Sequence, residues 1–154
     1  MMYTLDSLYL QLHPALNILR WEWRGALNLP LFQEAFNQLL TYSTRHGITH
    51  MLADVRSIPP LGNDEQAWLN EVWLPRTRCL HLKKMAFILP NSLHNQLVVE
   101  HFVQAARPHF NAKMQFFSDG PSALDWLTRN PRHAVHLEQE WLGRNSNNQA
   151  RLVA

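Results

Sequence analysis

The sequence predicts an α/β domain built on a mostly parallel sheet. Three observations support this prediction. Residues 50–55 and 85–89 are short, largely apolar stretches bounded by Pro or Gly, as buried strands are. The segments that alternate with them carry apolar residues at helical spacing. The chain has 154 residues, of which 46% are hydrophobic and 17% charged, a composition typical of one globular domain.

The first half of the chain predicts a hairpin, a helix and a central strand. Residues 4–13 and 17–24 alternate apolar and polar side chains and are separated by a short turn, so they should pair, with the first strand at an edge of the sheet. Asn28 and Pro30 mark a helix start, and one apolar stripe with i, i+3, i+4, i+7 spacing follows. The strand 50–55 comes next.

The second half of the chain repeats the strand–helix unit. A helix starts at Asn63 or Asp64, and Pro75 should end or kink it. The remaining elements are a strand at 85–89, a helix over about 92–106, a strand at 113–117 and a helix at 122–128. In the helix over 92–106 we expect the core to be faced by Leu93, Leu97, Val98, Phe102 and Ala105. The order β-β-α-β-α-β-α-β-α predicts a mostly parallel five-stranded sheet with an antiparallel first strand.

The chain divides into an α/β domain, 1–129, and a C-terminal tail, 130–154. Residues 131–142 predict a short helix with Val135, Trp141 and Leu142 on its apolar side, and the polar residues after it predict disorder. The sequence shows no signal peptide and no run of about 18 apolar residues, so we expect a cytoplasmic protein without a membrane span. The net charge of +2 is too small to indicate nucleic-acid binding.

Sequence motifs for catalysis or metal binding are missing. There is no Gly-x-Ser-x-Gly and no Gly-rich phosphate loop in a chain with only five glycines. The nine histidines include His133-x-x-His136 but no paired blocks of zinc ligands. The single cysteine, Cys79, excludes an intrachain disulfide. We therefore expect no enzymatic activity, no catalytic residue, no cofactor and no metal.

The best candidate site is the end of strand 50–55, because open α/β sheets bind ligands beyond the carboxyl ends of their strands and helix N-termini favour anions. Asp54 lies there. It either binds a ligand or acts as a base, or it has a structural role in which it caps loop amides or pairs with Arg56. The candidate interaction or ligand surface comprises Asp54, Arg56, Ser57, Asn63, Asp64, Glu65 and Trp68.

Several short motifs resemble those of the SpoIIAA-like fold, which STAS domains share, and more narrowly those of small bacterial STAS/Sec14-type proteins of unassigned function. The resemblance covers roughly residues 4–129. The motifs are Trp23-Arg24-Gly25, Phe32-x-x-Ala35-Phe36, Leu52-Ala53-Asp54-Val55-Arg56, Trp68-Leu69, Met85-Ala86-Phe87-Ile88 and Ala123-Leu124-x-Trp126-Leu127.

The resemblance implies a non-enzymatic module that acts through protein contact, in a regulatory or scaffolding role, with another protein or a second copy as its partner. The Sec14 side of the resemblance implies an alternative, a binding protein for a small apolar ligand or lipid, which would need a cavity of at least about 300 Å³. Antagonist STAS domains are phosphorylated on a serine at the start of the second helix. The matching residues, 59–64, include no Ser or Thr, and Ser57 lies too early.

Overall fold

In the computed structural model, which describes residues 1–5 and 7–153 and side chains as far as residue 143, a six-stranded sheet carries helices on both faces. The strands are β1 (Met2–Leu5), β2 (Leu8–His13), β3 (Ile18–Trp23), β4 (His50–Asp54), β5 (Lys84–Ile88) and β6 (Lys113–Phe117). The helices are α1 (Leu29–Arg45), α2 (Asn63–Trp68), α3 (Leu74–Arg76), α4 (Leu93–Ala106), α5 (Gly120–Thr128) and α6 (Pro131–Val153). A π-helical turn, Leu69–Trp73, joins α2 to α3.

The six strands lie side by side in chain order. The pairs β1–β2 and β2–β3 are antiparallel, and β3 to β6 are parallel. The α/β class is confirmed, but the predicted number of five strands is wrong. Within the stretch 4–13, predicted as one strand, Leu5 pairs with Leu8, so the chain reverses between them. Apolar side chains alternate through both arms of this hairpin, and the period-two pattern therefore did not reveal the turn.

The predicted start is right in position for both α1 and α2, and right in mechanism for α1 alone. The side chain of Asn28 caps α1. Helix α2 begins at Asn63 as predicted, but the cap position is Gly62 and no side chain caps it. Helical backbone then continues past Pro75, which we expected to end or kink it. In the π turn before this proline the Leu74 N–H bonds to Leu69 O, five residues back. Because the hydrogen-bond register widens just before Pro75, the proline ring is accommodated and the helix continues.

The two faces of the sheet pack against different helices. The first face carries α1, the α2–α3 segment and α4, which are the crossovers between parallel strands. Its core is rich in aromatic rings, including those of Trp21, Phe36 and Trp73. The second face carries α5 and α6, which cover the smaller apolar cluster around Leu52 and Ala86. The sheet is therefore the middle layer of three.

The inward stripe predicted for helix α4 is right in the second half of the helix and wrong at its start. Val98 and Phe102 are buried as predicted, whereas Leu93 and Leu97 are 71% and 49% exposed. At the start of the helix the buried residue is Asn95, which is 1% exposed. A polar residue takes this core position because the amide of Asn95 binds main-chain groups beneath the surface.

The first part of the predicted tail, residues 131–141, packs on the sheet as part of the second-face layer. Leu137 and Trp141 of α6 are buried, whereas Val135 and Leu142 are 56% and 53% exposed. The predicted apolar side was therefore right for Trp141 and wrong for the other two residues. The main chain of α6 is helical to Val153, and the disorder expected after residue 142 stays a prediction.

Candidate functional site at the carboxyl edge of the sheet

The seven residues predicted to form a site divide between the two faces of the sheet. The carboxyl ends of β3 to β6 meet at one edge, and the loop 55–62 leaves this edge after β4. Three of the predicted residues, Asp54, Arg56 and Ser57, contact groups on the second-face side. The other four lie in α2 on the first face: Asn63, Asp64, Glu65 and Trp68.

Asp54 is fully buried and accepts three hydrogen bonds from charged groups. Arg20 Nη2 donates to Oδ2 at 2.9 Å, while Arg56 donates from Nε to Oδ1 at 3.0 Å and from Nη2 to Oδ2 at 2.8 Å. Burial acts to raise the pKa of Asp54, but the hydrogen bonds and charges of Arg56 and Arg20 outweigh burial, and the pKa is lowered. The carboxylate of Asp54 is thus ionised, and both of its oxygens accept hydrogen bonds from arginines. This favours the structural role of Asp54 over that of a base or ligand-binding group.

Arg20 on β3 is the centre of this cluster. Its guanidinium is fully buried, donates from Nη1 to Glu138 Oε2 at 2.9 Å, and lies 4.1 Å from the ring centroid of Trp141. We call Arg20, Asp54, Arg56, Glu138 and Trp141 the Arg20 network. The network ties α6, which supplies Glu138 and Trp141, to the strands β3 and β4.

The start of α5 closes over the Arg20 network at Gly120. A Cβ at this position would lie 2.9 Å from Glu138 Oε2 and 3.2 Å from both Nη atoms of Arg20. Only a residue without a side chain permits this approach. Arg20 Nε is buried and finds no hydrogen-bond partner in the described part of the chain. Two guanidinium groups and two carboxylates satisfy one another here, so we assign the network to holding α5 and α6 in place rather than to chemistry.

Sequence reasoning missed Arg20 because it alternates with Leu19 and Trp21 as an exposed strand residue would. What buries Arg20 is a helix more than 110 residues later in the chain. The available signal was weak: β3 is central in a sheet with helices on both faces, so its polar side must also be covered.

The loop 55–62 is held to the start of α4 by side chains. Asn95 Nδ2 donates to Ile58 O at 3.0 Å and to Pro59 O at 3.1 Å, and Asn95 Oδ1 accepts from the Leu61 N–H at 3.2 Å. His94 Nε2 lies 2.9 Å from Leu61 O. Asn95 therefore uses both ends of its amide to fix the loop, which gives the carboxyl edge a defined shape on the first-face side.

Exposed leucines and acidic residues border this loop. Leu93 and Leu97 lie one turn apart on α4, and Asp64 and Glu65 lie in the first turn of α2. Trp68, by contrast, turns inward and packs edge-to-face on Phe32 with ring centroids 5.9 Å apart. We call the outward-facing set the contact edge; it consists of Pro60, Asn63, Asp64, Glu65, Leu93 and Leu97.

Beneath the loop the first-face core encloses a cavity of about 50 Å³. Ile58 of the loop, Met51 and Met85 of the sheet and Val98 of α4 are among its lining residues. Sites for drug-sized ligands have volumes of about 300–1,000 Å³. This cavity is smaller than the space of at least about 300 Å³ that we expected for the alternative of a small apolar-ligand or lipid-binding protein.

In residues 1–5 and 7–153, no group of three or more His, Cys, Asp and Glu side chains is arranged to hold a metal ion. None of the helices in the part of the chain that the structure describes has the length and apolar content needed to cross a membrane. Comparison of the chain with protein-family models, curated proteins and solved structures gave no match. The geometry of the carboxyl edge is therefore the basis for proposing a function.

Proposed function

We propose that the chain is a STAS-like, non-enzymatic module that acts through protein–protein contact at the contact edge. The sequential order of the strands, with a hairpin leading into parallel strands, supports the STAS-like assignment, as do the motifs in residues 4–129. A fold by itself does not specify an activity. The proposed function therefore depends on the contact edge.

The exposure of Leu93 and Leu97 beside a fixed loop is the observation that carries this proposal. Exposed leucines one turn apart give α4 a short apolar ridge. The hydrogen bonds of Asn95 hold the adjoining loop in one conformation, so a partner meets a surface that is already ordered. Preorganisation of this kind reduces the entropy lost on binding.

The charges around the ridge indicate the chemistry of the partner. Asp64 and Glu65 place two carboxylates in the first turn of α2, close to where the loop ends. An apolar centre with an acidic rim suits a partner that presents an apolar patch flanked by Lys or Arg. This partner is another protein or a second copy of the chain.

The double substitution Leu93→Ser/Leu97→Ser tests the proposal. Partners captured by the wild-type protein are identified, purified and titrated against both proteins by isothermal calorimetry. We expect the Kd to rise at least about tenfold, because apolar residues at the centre of an interface contribute more than about 1 kcal/mol each. Asp64→Asn/Glu65→Gln should also weaken binding while leaving the melting temperature near that of the wild type.

Val135→Ser is the matched control, since Val135 is 56% exposed on α6 and outside the contact edge. It should retain wild-type affinity. If the leucine variant binds the same partners as tightly as the Val135 control does, the contact edge is not the binding surface and the proposal fails.

A further inference from the structure

The cavity in the first-face core is lined by apolar side chains that form a floor and a roof. The floor is the sheet, from which Trp21, Met51 and Met85 point upward. The roof is formed by Ile58 and Leu61 of the loop 55–62 together with residues of the π turn and α4. A space of this chemistry does not retain water, because a buried water needs two to four polar partners.

The amide of Asn95, although it borders the cavity, is not available to a guest. Its donors and its acceptor are used by the main chain of Ile58, Pro59 and Leu61. A molecule in the cavity would therefore meet carbon and sulfur and no free hydrogen-bonding group from this side chain. Trp21, which also lines the cavity, has a buried Nε1 that finds no hydrogen-bond partner among the described residues. The guest is therefore an uncharged, mainly apolar molecule.

The volume limits the size of the guest. A single water-sized group needs roughly 10–15 Å³ of such space, so a cavity of about 50 Å³ has room for roughly four. The side chains of Met51 and Met85 add tolerance, because methionine is flexible and polarizable and adapts to irregular shapes. Xenon or a molecule of about four non-hydrogen atoms is thus the upper limit, far below a fatty acid.

The roof and the floor of the cavity are held by different kinds of hydrogen bond. The loop rests on the side-chain hydrogen bonds of Asn95, His94 and Gln66. The adjoining π turn supplies Leu69 and Trp73 to the lining. Short π-helical insertions are frequently found at functional sites, because they displace side chains from the regular helical register. By contrast, the floor is held by the hydrogen-bond ladders on both sides of β4.

We propose that this cavity is a binding site for a compact, uncharged, mainly apolar molecule of no more than about four non-hydrogen atoms. The cavity lies beneath the loop that carries Pro60 of the contact edge, but the proposal does not rest on the protein-contact function.

The methionine methyl groups report directly on the cavity. The full-length protein is labelled with ¹³C at these methyls and titrated with xenon and, separately, with cyclopropane, while NMR spectra are recorded. We expect saturable shifts at Met51 and Met85, which line the cavity, and none at Met2 on the outer strand β1. The absence of a saturable shift at Met51 and Met85 with both probes overturns the proposal, as do equal shifts at all methionines.

A pair of valines on α4 supplies the matched variants. Val98 lines the cavity, whereas Val103 is equally buried on the same helix but does not line it. Val98→Leu should fill the space, weaken the response to both probes at least tenfold and raise the melting temperature. Val103→Leu should leave the response unchanged. A Val98→Leu protein that still responds like the wild type would show that the probes bind elsewhere.

Discussion

At the scale of single residues, the fully buried guanidinium of Arg20 has the largest consequence. It lies between Asp54 and Glu138 at 2.9 Å from each, and it stacks on Trp141. A buried ion pair adds little net stability compared with apolar packing, because both ions lose their hydration. Removing one partner is different, since the other charge then remains buried without compensation.

Arg20→Ala should therefore lower the free energy of unfolding by about 3–5 kcal/mol. Urea denaturation of the purified variant measures this loss. Arg24→Ala is the control: Arg24 pairs with Glu22 at 3.1 Å on a partly exposed surface, where such a pair is worth about 1 kcal/mol or less. Equal losses in the two variants would contradict the assignment of Arg20 as the centre of the network.

The ionisation of Asp54 makes the free energy of unfolding depend on pH. Its pKa in the folded protein lies below the ordinary value of 3.8, because the hydrogen bond from Arg56 and the charge of Arg20 outweigh the effect of burial. The resulting stabilisation is present above the unfolded-state pKa and is lost as the pH falls through the folded-state pKa. The free energy of unfolding should thus decrease on acidification below about pH 4.

Arg56→Gln removes the strongest of these hydrogen bonds, so the pKa of Asp54 should rise and the acid dependence should become shallower. Urea titrations at several values of pH compare the slopes. Arg107→Gln, at an exposed position after α4, should keep the wild-type slope. An unchanged slope in Arg56→Gln would mean that the acid dependence arises from other groups.

At the scale of elements, the packing of α5 against α6 depends on one glycine. Gly120 opens α5 where a Cβ would lie 2.9 Å from Glu138 Oε2 and 3.2 Å from the Arg20 Nη atoms. Contacts this short force either α5 or the ion pair to move. The backbone conformation of Gly120 itself does not require glycine, because its φ is not positive. The constraint is purely one of space.

Gly120→Ala should destabilise the protein by about 1–3 kcal/mol, which is typical of overpacking at a tight contact. Gly143→Ala is the matched control, because nothing lies within 4 Å of a Cβ there. It should be neutral or, by improving helix propensity, stabilising by up to about 1 kcal/mol. The melting temperatures of both variants test this prediction. A Gly120→Ala protein with the melting temperature of the wild type would show that α5 can shift without loss of stability.

At the scale of the whole molecule, strand and helix order followed from the sequence, while the rotation of surface helices did not. Period-two and helical patterns located the central strands and the starts of α1 and α2. They failed for the start of α4 because Asn95 takes a core position there and leaves Leu93 and Leu97 exposed. They failed for Arg20 for the converse reason, since its burial is decided by α6. The hydrophobic periodicity of a short segment contains no information about polar contacts with residues far away in the sequence.

Only part of the candidate site could be predicted, because the rest depends on contacts between residues far apart in the sequence. The carboxyl edge and its residues Asp54 and Arg56 followed from the position of a central strand. The division of the site between two faces did not, because it depends on which face each helix covers. Leu93 and Leu97 could have been recognised as exposed only by treating Asn95 as a buried anchor.

The order of the strands also determines how copies of the molecule can meet. The two outer strands are β1, with four residues, and β6, which begins with the exposed Lys113 next to Lys84. A short edge and a charged edge are both poor templates for the addition of a further strand. Growth into fibrils through the open sides of the sheet is thereby discouraged. Association is directed instead to side chains on helices and loops, where its geometry is set by shape and charge rather than by the repeating main chain.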